Sequence, residues 1–213
     1  MAQFLDPFLI IVLAINFVAL GVSRIRAVIN AVALQGTLLG LFPLFVHPQI
    51  GLRGMLLVIV TIGLKGIVIR TLLFHAMREA EIQQEVKPLV NFMSCMLLDA
   101  IGTALALVFS ATFPLEDAHT NLLIVPTSLA TVWAGFLMMT TRRTAIMQVL
   151  GYLLLENGIF LFGLLLLEAM PFLVEMGVLL DLFTGVFVMG IIIHHINREF
   201  DSMSTDHLAE LKG

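Results

Sequence analysis

Four ionisable side chains, Lys65, Asp99, Glu156 and Asp181, lie inside long apolar stretches of the sequence. A charge in the middle of a lipid bilayer costs roughly 2.5 to 3.5 kcal/mol, so four such charges cost on the order of 10 kcal/mol unless they are paired or neutralised. A cost of this size predicts that the four side chains face one another, a water-filled cavity or a partner protein. Carboxylates and an amine that lie close together and exchange charge states can pass protons, so these residues indicate a proton relay.

The composition excludes several classes of protein. Of the 213 residues, 60% are hydrophobic and 12% are charged, and the mean hydropathy is +1.05, which excludes an ordinary soluble domain. The single cysteine, Cys95, excludes an internal disulfide framework and a zinc or iron–sulfur site built from several cysteines. The net charge of −4, without a basic stripe, gives no indication of nucleic-acid binding. We therefore expect no catalytic centre, metal site or cofactor within this chain.

The apolar runs predict an all-α integral membrane protein with about seven transmembrane helices. Each run is close to the roughly 20 residues that cross a hydrocarbon core of about 30 Å. The predicted spans are residues 7–22, 27–46, 55–74, 89–113, 122–140, 145–167 and 172–193.

The distribution of basic residues predicts the orientation of these spans. Basic residues follow the odd-numbered spans, at Arg24, Arg26, Arg78, Lys87, Arg142, Arg143, Arg198 and Lys212. The opposite connectors hold Arg53 and the acidic residues Glu116, Asp117 and Glu168. Because basic loops stay on the cytoplasmic side, the N-terminus is predicted outside and the C-terminus, with its short polar tail, in the cytoplasm.

The four intramembrane ionisable residues share one predicted depth. At 1.5 Å per residue, each lies within about 3 Å of the middle of its span, in the third, fourth, sixth and seventh spans. Tyr152 precedes Glu156 by one helical turn and Gln148 precedes it by two. Thr184 follows Asp181 by three residues. These three residues are predicted to support the relay as hydrogen-bonding groups.

Two of the assignments leave alternatives open. Lys65 and Asp99 lie on consecutive spans, so they are either members of the relay or a structural ion pair. Glu175 lies one turn into the last span, so it either gives the relay a branch toward the outside or only reaches the outer interface.

Three sequence strings carry a resemblance to a known family. The strings "QVLGYLLLENGIFLFGLLL", "VEMGVLLDLFTGVFVMGII" and "DHLAELKG" resemble the component E subunit of hydrogenase-4 and of related formate hydrogenlyase complexes, and "GLKGIV" around Lys65 resembles it more weakly. The last three spans also resemble the small K subunit of respiratory complex I. Glu156 and Asp181 match its two membrane glutamates, although aspartate replaces the second and the glycine before Glu156 lies further upstream. The predicted division is a four-helix part, 1–120, and a three-helix part resembling that K subunit, 121–213.

The resemblance implies a function in a larger complex. The chain would be a subunit, without redox centres, of an energy-converting nickel–iron hydrogenase in a prokaryotic cytoplasmic (inner) membrane. Its partners would be antiporter-like and other membrane-arm subunits, the lipid bilayer and, through the complex, a cytoplasmic hydrogenase module. Its carboxylates would belong to a hydrophilic axis that moves H⁺ or Na⁺.

Two other classes of function remain open from the sequence. A stand-alone ion transporter is one, although the sequence shows no convincing inverted repeat and no clearly glycine- or proline-interrupted helices in matching halves. A purely structural membrane anchor for other subunits is the second. We expect the anchor to lack charged helix faces that point inward together.

Overall fold

The computed structural model describes residues 2–46, 52–79, 89–111 and 123–163, together with 180, 183–185, 187, 188 and 190. Within these ranges the regular elements are helices and no strand is present, which confirms the predicted all-α class. The α-helices are α1 (Ala2–Gly21), α2 (Ile25–Val46), α3 (Leu52–Ile62), α4 (Ile69–Glu79), α5 (Phe92–Ser110), α6 (Ile124–Thr141) and α7 (Ala145–Gly163).

Within the described ranges, five helical segments are long and apolar enough to cross a membrane. They are Ile25–Leu44, Val58–Arg78, Phe92–Ser110, Ile124–Thr141 and Ala145–Gly163. These segments agree with the second to sixth predicted spans. The first predicted span is a shorter apolar helix, Asp6–Gly21, and most of the seventh lies outside the described residues. The orientation and the division at residue 120 stay predictions.

Helices α6 and α7 form a tightly packed hairpin around which the other helices assemble. A Cβ atom on Gly135 would lie 2.5 Å from the backbone nitrogen of Leu155, and one on Gly158 would lie 2.7 Å from that of Val132. Small residues allow this close approach of two helix backbones, which gains dispersion energy without needing a hydrophobic driving force. Helices α1 and α5 pack against α6, and α2 packs against α7, so the two predicted parts are in contact.

Helices α3 and α4 belong to one rod that is interrupted by a π-helical turn, Gly63–Val68. The third predicted span, residues 55–74, is present as part of this rod, and its sequence contained no indication of the π turn. A π turn adds one residue to the helical turn and often occurs at functional sites. The turn packs closely on α2, because a Cβ atom on Gly66 would lie 2.7 Å from Thr37 Oγ1.

A buried arginine fastens the end of α1 to the α6–α7 connector. Arg142 is 1% exposed, and its Nη2 donates a 2.7 Å hydrogen bond to the carbonyl oxygen of Leu20. A cation at the last carbonyls of a helix is stabilised by the helix dipole. The guanidinium also lies 4.6 Å from the ring centroid of Phe92. Burial lowers the pKa of Arg142, whereas the nearby Cys95 thiol acts in the opposite direction. Arg142, counted above as a loop charge, is therefore a packing residue, and its neighbour Arg143 is exposed.

The glycine contacts predict the effect of single methyl groups on α7. Gly158→Ala is expected to destabilise the folded protein by about 1–3 kcal/mol, because the new methyl group meets backbone atoms of α6. Gly163→Ala is the matched control, since no neighbouring atom of the described residues lies within 4 Å of its added Cβ. The measurement is the fraction of the protein that detergent still extracts in unaggregated form after the membranes have been heated. Equal losses for the two variants would contradict the close packing of α6 and α7.

Candidate ion-relay site

Lys65 and Glu156 form a buried ion pair. Lys65 Nζ lies 3.2 Å from Glu156 Oε1, and the two side chains are only 6% and 2% exposed. Lys65 comes from the π turn and Glu156 from the middle of α7, so the pair joins two segments separated by 91 residues. Two of the four residues that the sequence placed at one depth are therefore in direct contact.

The surroundings of Lys65 fix the position of its ammonium group. On one side lies α2, where a Cβ atom on Gly36 would be 3.1 Å from Lys65 Cβ. On another side, the ring of Phe160 has its centroid 5.3 Å from Lys65 Nζ, within the range of a cation–π contact. Asn157 Oδ1 accepts a second hydrogen bond from the ammonium at 3.0 Å. The charge is thus held by a carboxylate, an amide oxygen and an aromatic face.

A chain of neutral polar side chains extends from this pair across the bundle. Asn157 Nδ2 donates to Gln35 Oε1 at 3.2 Å, and Gln35 Nε2 donates to Asn16 Oδ1 at 2.7 Å. Asn16 Nδ2 in turn donates to Thr131 Oγ1 at 3.0 Å. The chain therefore links α7, α2, α1 and α6, and none of its four side chains is more than 1% exposed.

A small cavity of about 10 Å³ adjoins the ion pair. Lys65 and Asn157 line it, together with Arg70 one turn further along the rod and Gly36 of α2. This volume is about that of one water-sized probe, the smallest space in which a bound water fits. Most of its lining is apolar, with Ile29, Val32 and Leu73 among the lining residues.

Asp99 lies apart from the ion pair. It is fully buried on α5, the helix that packs on α1 and α6, and neither of its carboxyl oxygens has a hydrogen-bond partner among the described residues. Lys65 pairs with Glu156 instead, so the structural ion pair considered between Lys65 and Asp99 is not formed. A buried carboxyl without a hydrogen bond is costly to keep charged, and it is therefore suited to carry a proton.

The remaining predicted site residues fall into two groups. Gln148, Tyr152 and Thr184 line one groove, with Gln148 exposed and Tyr152 half-buried, and the hydroxyl of Thr184 donates to the carbonyl oxygen of Leu180 at 3.0 Å. Asp181 and Glu175 lie outside the described residues, so their roles stay predictions. Among the residues that the structure describes, no group of three or more His, Cys, Asp and Glu side chains could hold a metal ion.

Sequence reasoning missed the neutral members of the site. Asn16, Gln35 and Asn157 each interrupt an apolar run near its middle, and Asn157 directly follows Glu156. Uncharged amides in a membrane span cost less than charges and do not stand out in a search for ionisable residues. The signal that could have found them is the recurrence of a lone amide near the middle of three predicted spans.

The chain is similar along most of its length to a protein of another organism. It is 34% identical over 192 residues, 88% of this chain and 86% of the relative, to the uncharacterized protein Rv0085 of Mycobacterium tuberculosis. The chain belongs to the family of that protein. No protein-family model matches the chain, and no solved structure matches it significantly.

A shorter similarity relates the chain to a hydrogenase component. The chain is 35% identical over 79 residues to hydrogenase-4 component E of Escherichia coli strain K12 and, with the same values, to that of Shigella flexneri. The matched segment spans 37% of this chain and 37% of each relative. These values agree with the family resemblance that the sequence strings indicated, although they cover only part of either protein.

The ion pair predicts a non-additive effect on stability. Lys65→Met leaves the Glu156 carboxylate buried without its ammonium partner and is expected to cost about 3–5 kcal/mol. Adding Glu156→Gln replaces the buried carboxylate with a neutral amide, so the double variant should be more stable than Lys65→Met alone. Thermal stability of the two single variants and the double variant, measured in membranes, gives the coupling energy. Strictly additive losses would contradict a direct interaction between the two side chains.

Proposed function

We propose that this chain is a membrane-arm subunit of an energy-converting, hydrogenase-4-like nickel–iron hydrogenase complex, in which it carries part of an ion relay. The observation that carries the proposal is the buried pair of Lys65 and Glu156, held 3.2 Å apart between the π turn and α7. The redox centres belong to other subunits, and the moving ion is H⁺ or Na⁺. The topology that goes with this function is seven spans, with the N-terminus outside and the C-terminus in the cytoplasm of a prokaryote.

Two further observations support a place in a membrane complex. Five helical segments in the described part of the chain have the length and apolarity of membrane spans, and α5 turns large apolar side chains such as Met93, Leu97 and Val108 outward. Lipid or an apolar partner subunit covers such a surface well. The partial similarity to hydrogenase-4 component E then favours one kind of complex over others.

The electrostatic attraction between Lys65 and Glu156 is comparable to the free energy of moving an ion across the membrane. Two unit charges 3.2 Å apart attract each other by roughly 5 kcal/mol at an effective dielectric constant of about 20. Moving one charge through the membrane potential costs about 2.3 kcal/mol per 100 mV. Protonation of Glu156 removes this attraction from the ammonium of Lys65. One protonation step at this pair can therefore drive, or be driven by, the movement of a neighbouring ion.

The other ionisable residues complete the proposed path. Asp99, buried on α5 without a hydrogen bond among the described residues, is a second proton carrier. Asp181 and Glu175 extend the path into the last predicted span, where Asp181 exchanges protons with Glu156 and Glu175 branches toward the outside. Tyr152, Gln148 and Thr184 line the groove beside α7 and support this exchange. Antiporter-like neighbour subunits continue the path along the membrane.

A tagged form of the chain tests its membership of a complex. We expect a chain tagged at its C-terminus and purified from its native membranes to bring along nickel–iron hydrogenase subunits and antiporter-like membrane subunits. Mass spectrometry identifies these partners, with an untagged strain as the control. Isolation of the chain by itself, still able to move ions in vesicles, would instead favour a stand-alone transporter.

Charge-neutral substitutions test the relay within the assembled complex. Glu156→Gln and Asp181→Asn are expected to lower ion pumping at least ten-fold while assembly and redox turnover persist, because the amides keep the side-chain shape but take up no proton. The measurement is ion uptake by vesicles that contain the complex during redox turnover, with and without Na⁺.

Asp6→Asn is the matched control for these substitutions. Asp6 is also an acidic residue, but it lies near the start of α1, away from the pair, and the new amide can still accept from the backbone nitrogen of Leu123. Pumping should remain normal in this variant. Normal pumping in Glu156→Gln as well would leave the purely structural anchor as the function of the chain.

A further inference from the structure

All hydrogen bonds along the chain of amides beside the ion pair run in one direction, which the groups at its two ends determine. An ammonium group has donors and no acceptor, so Lys65 must be met by the oxygen of Asn157. At the far end, the hydroxyl of Thr131 donates to the carbonyl oxygen of Thr127 at 2.7 Å, and a carbonyl can only accept. Every hydrogen bond between these ends therefore points away from Lys65.

Because of this direction, the negative ends of three amide dipoles point toward the positive charge of Lys65. The oxygen ends of Asn157, Gln35 and Asn16 all lie on the side toward Lys65. Hydrogen bonds that run head to tail in a low-dielectric interior polarise one another, so the chain acts on the ammonium as a unit. Each link holds the next side chain in one rotamer, because a reversed amide would set two donors or two acceptors against each other.

The same groups are unsuited to carry the moving proton. Side-chain amides have no titratable proton near neutral pH, unlike the carboxylates and the amine of the site. A proton that reaches Glu156 has no titratable acceptor along Asn157, Gln35 and Asn16. The chemistry of these three side chains is therefore to orient a charge.

We propose that Asn157, Gln35 and Asn16 are positioning residues that hold the ammonium of Lys65 on Glu156 through one directional chain of hydrogen bonds. This inference rests on the proposed function, because it assigns these residues to the ion-relay site. It also makes the N-terminal helices α1 and α2 part of the site, although the ion pair itself lies on the π turn and α7.

The decisive substitution is Gln35→Leu. It keeps most of the side-chain volume but removes the acceptor for Asn157 Nδ2 and the donor for Asn16 Oδ1. The complex, purified by a tag on this chain and placed in vesicles, is assayed for ions moved per redox turnover, normalised to assembled complex. We expect this ratio to fall about ten-fold, since displacing a reacting group by about 1 Å can cost a factor of this order or more. A role in packing alone would lower the amount of complex and leave the ratio unchanged.

A double variant shows whether Gln35 acts through Lys65. If it does, Gln35→Leu combined with Lys65→Met should give the same ratio as Lys65→Met alone. Ser128→Ala is the matched control, because Ser128 is equally buried in the bundle but its hydroxyl donates to Val125 within its own helix. Its ratio should equal that of the unmodified complex. Thr131→Val keeps the side-chain shape but removes the last acceptor in the chain of hydrogen bonds. It therefore provides the same test if Gln35→Leu fails to assemble, with a smaller expected fall in the ratio.

The outcomes separate the two proposals. A normal ratio in Lys65→Met would overturn the proposed function, since the lysine would then lie outside the ion path. A low ratio in Lys65→Met with a normal ratio in Gln35→Leu and Thr131→Val would overturn only the positioning role. Multiplying losses in the double variant would also overturn it, because the amides would then act independently of Lys65.

Discussion

The positive charge of Lys65 is the constraint on which the rest of the structure depends. An ammonium group at 5% exposure inside an apolar bundle is costly unless a carboxylate and further hydrogen-bond acceptors surround it. Glu156 and Asn157, adjacent on α7, supply two of the oxygens, and Phe160 one turn later supplies the ring. The π turn, the glycines of α2 and the polar face of α7 are arrangements that bring these partners to one point.

The close packing of the helices and the polar site depend on each other. Hydrogen bonds of about 3 Å between side chains on four helices are possible only where the backbones approach closely, which the glycines between α6 and α7 and at Gly36 of α2 allow. The polar contacts in turn select one register, because sliding α7 by a turn would separate Asn157 from both Lys65 and Gln35. The dispersion contacts supply attraction between the helices, and the amides supply specificity.

The sequence predicted the features that depend on local composition. The second to sixth spans were found because a run of about 20 apolar residues is visible without knowing the fold, and the cost of a charge in lipid correctly predicted that Lys65 and Glu156 face inward. Features that depend on neighbouring helices were not predicted. The choice of Glu156 over Asp99 as the partner of Lys65 follows from which helix lies beside the π turn. The burial of Arg142 follows from the position of α1, whereas the positive-inside rule counts only its charge.

The long sequence separation of these polar contacts has a consequence for how the chain enters the membrane. Asn16 and Gln35 are 19 residues apart. In contrast, Asn157 follows its partner Gln35 by 122 residues, and Arg142 follows its partner Leu20 by 122 residues. At a synthesis rate of about 5–20 residues per second, that interval lasts roughly 6 to 24 s. The first two helices can pair through their amides as a hairpin. At that stage Asn157, which donates to Gln35 Oε1, has not yet been synthesised. Biogenesis of this protein thus includes a period in which the N-terminal hairpin holds half of a polar site inside the membrane.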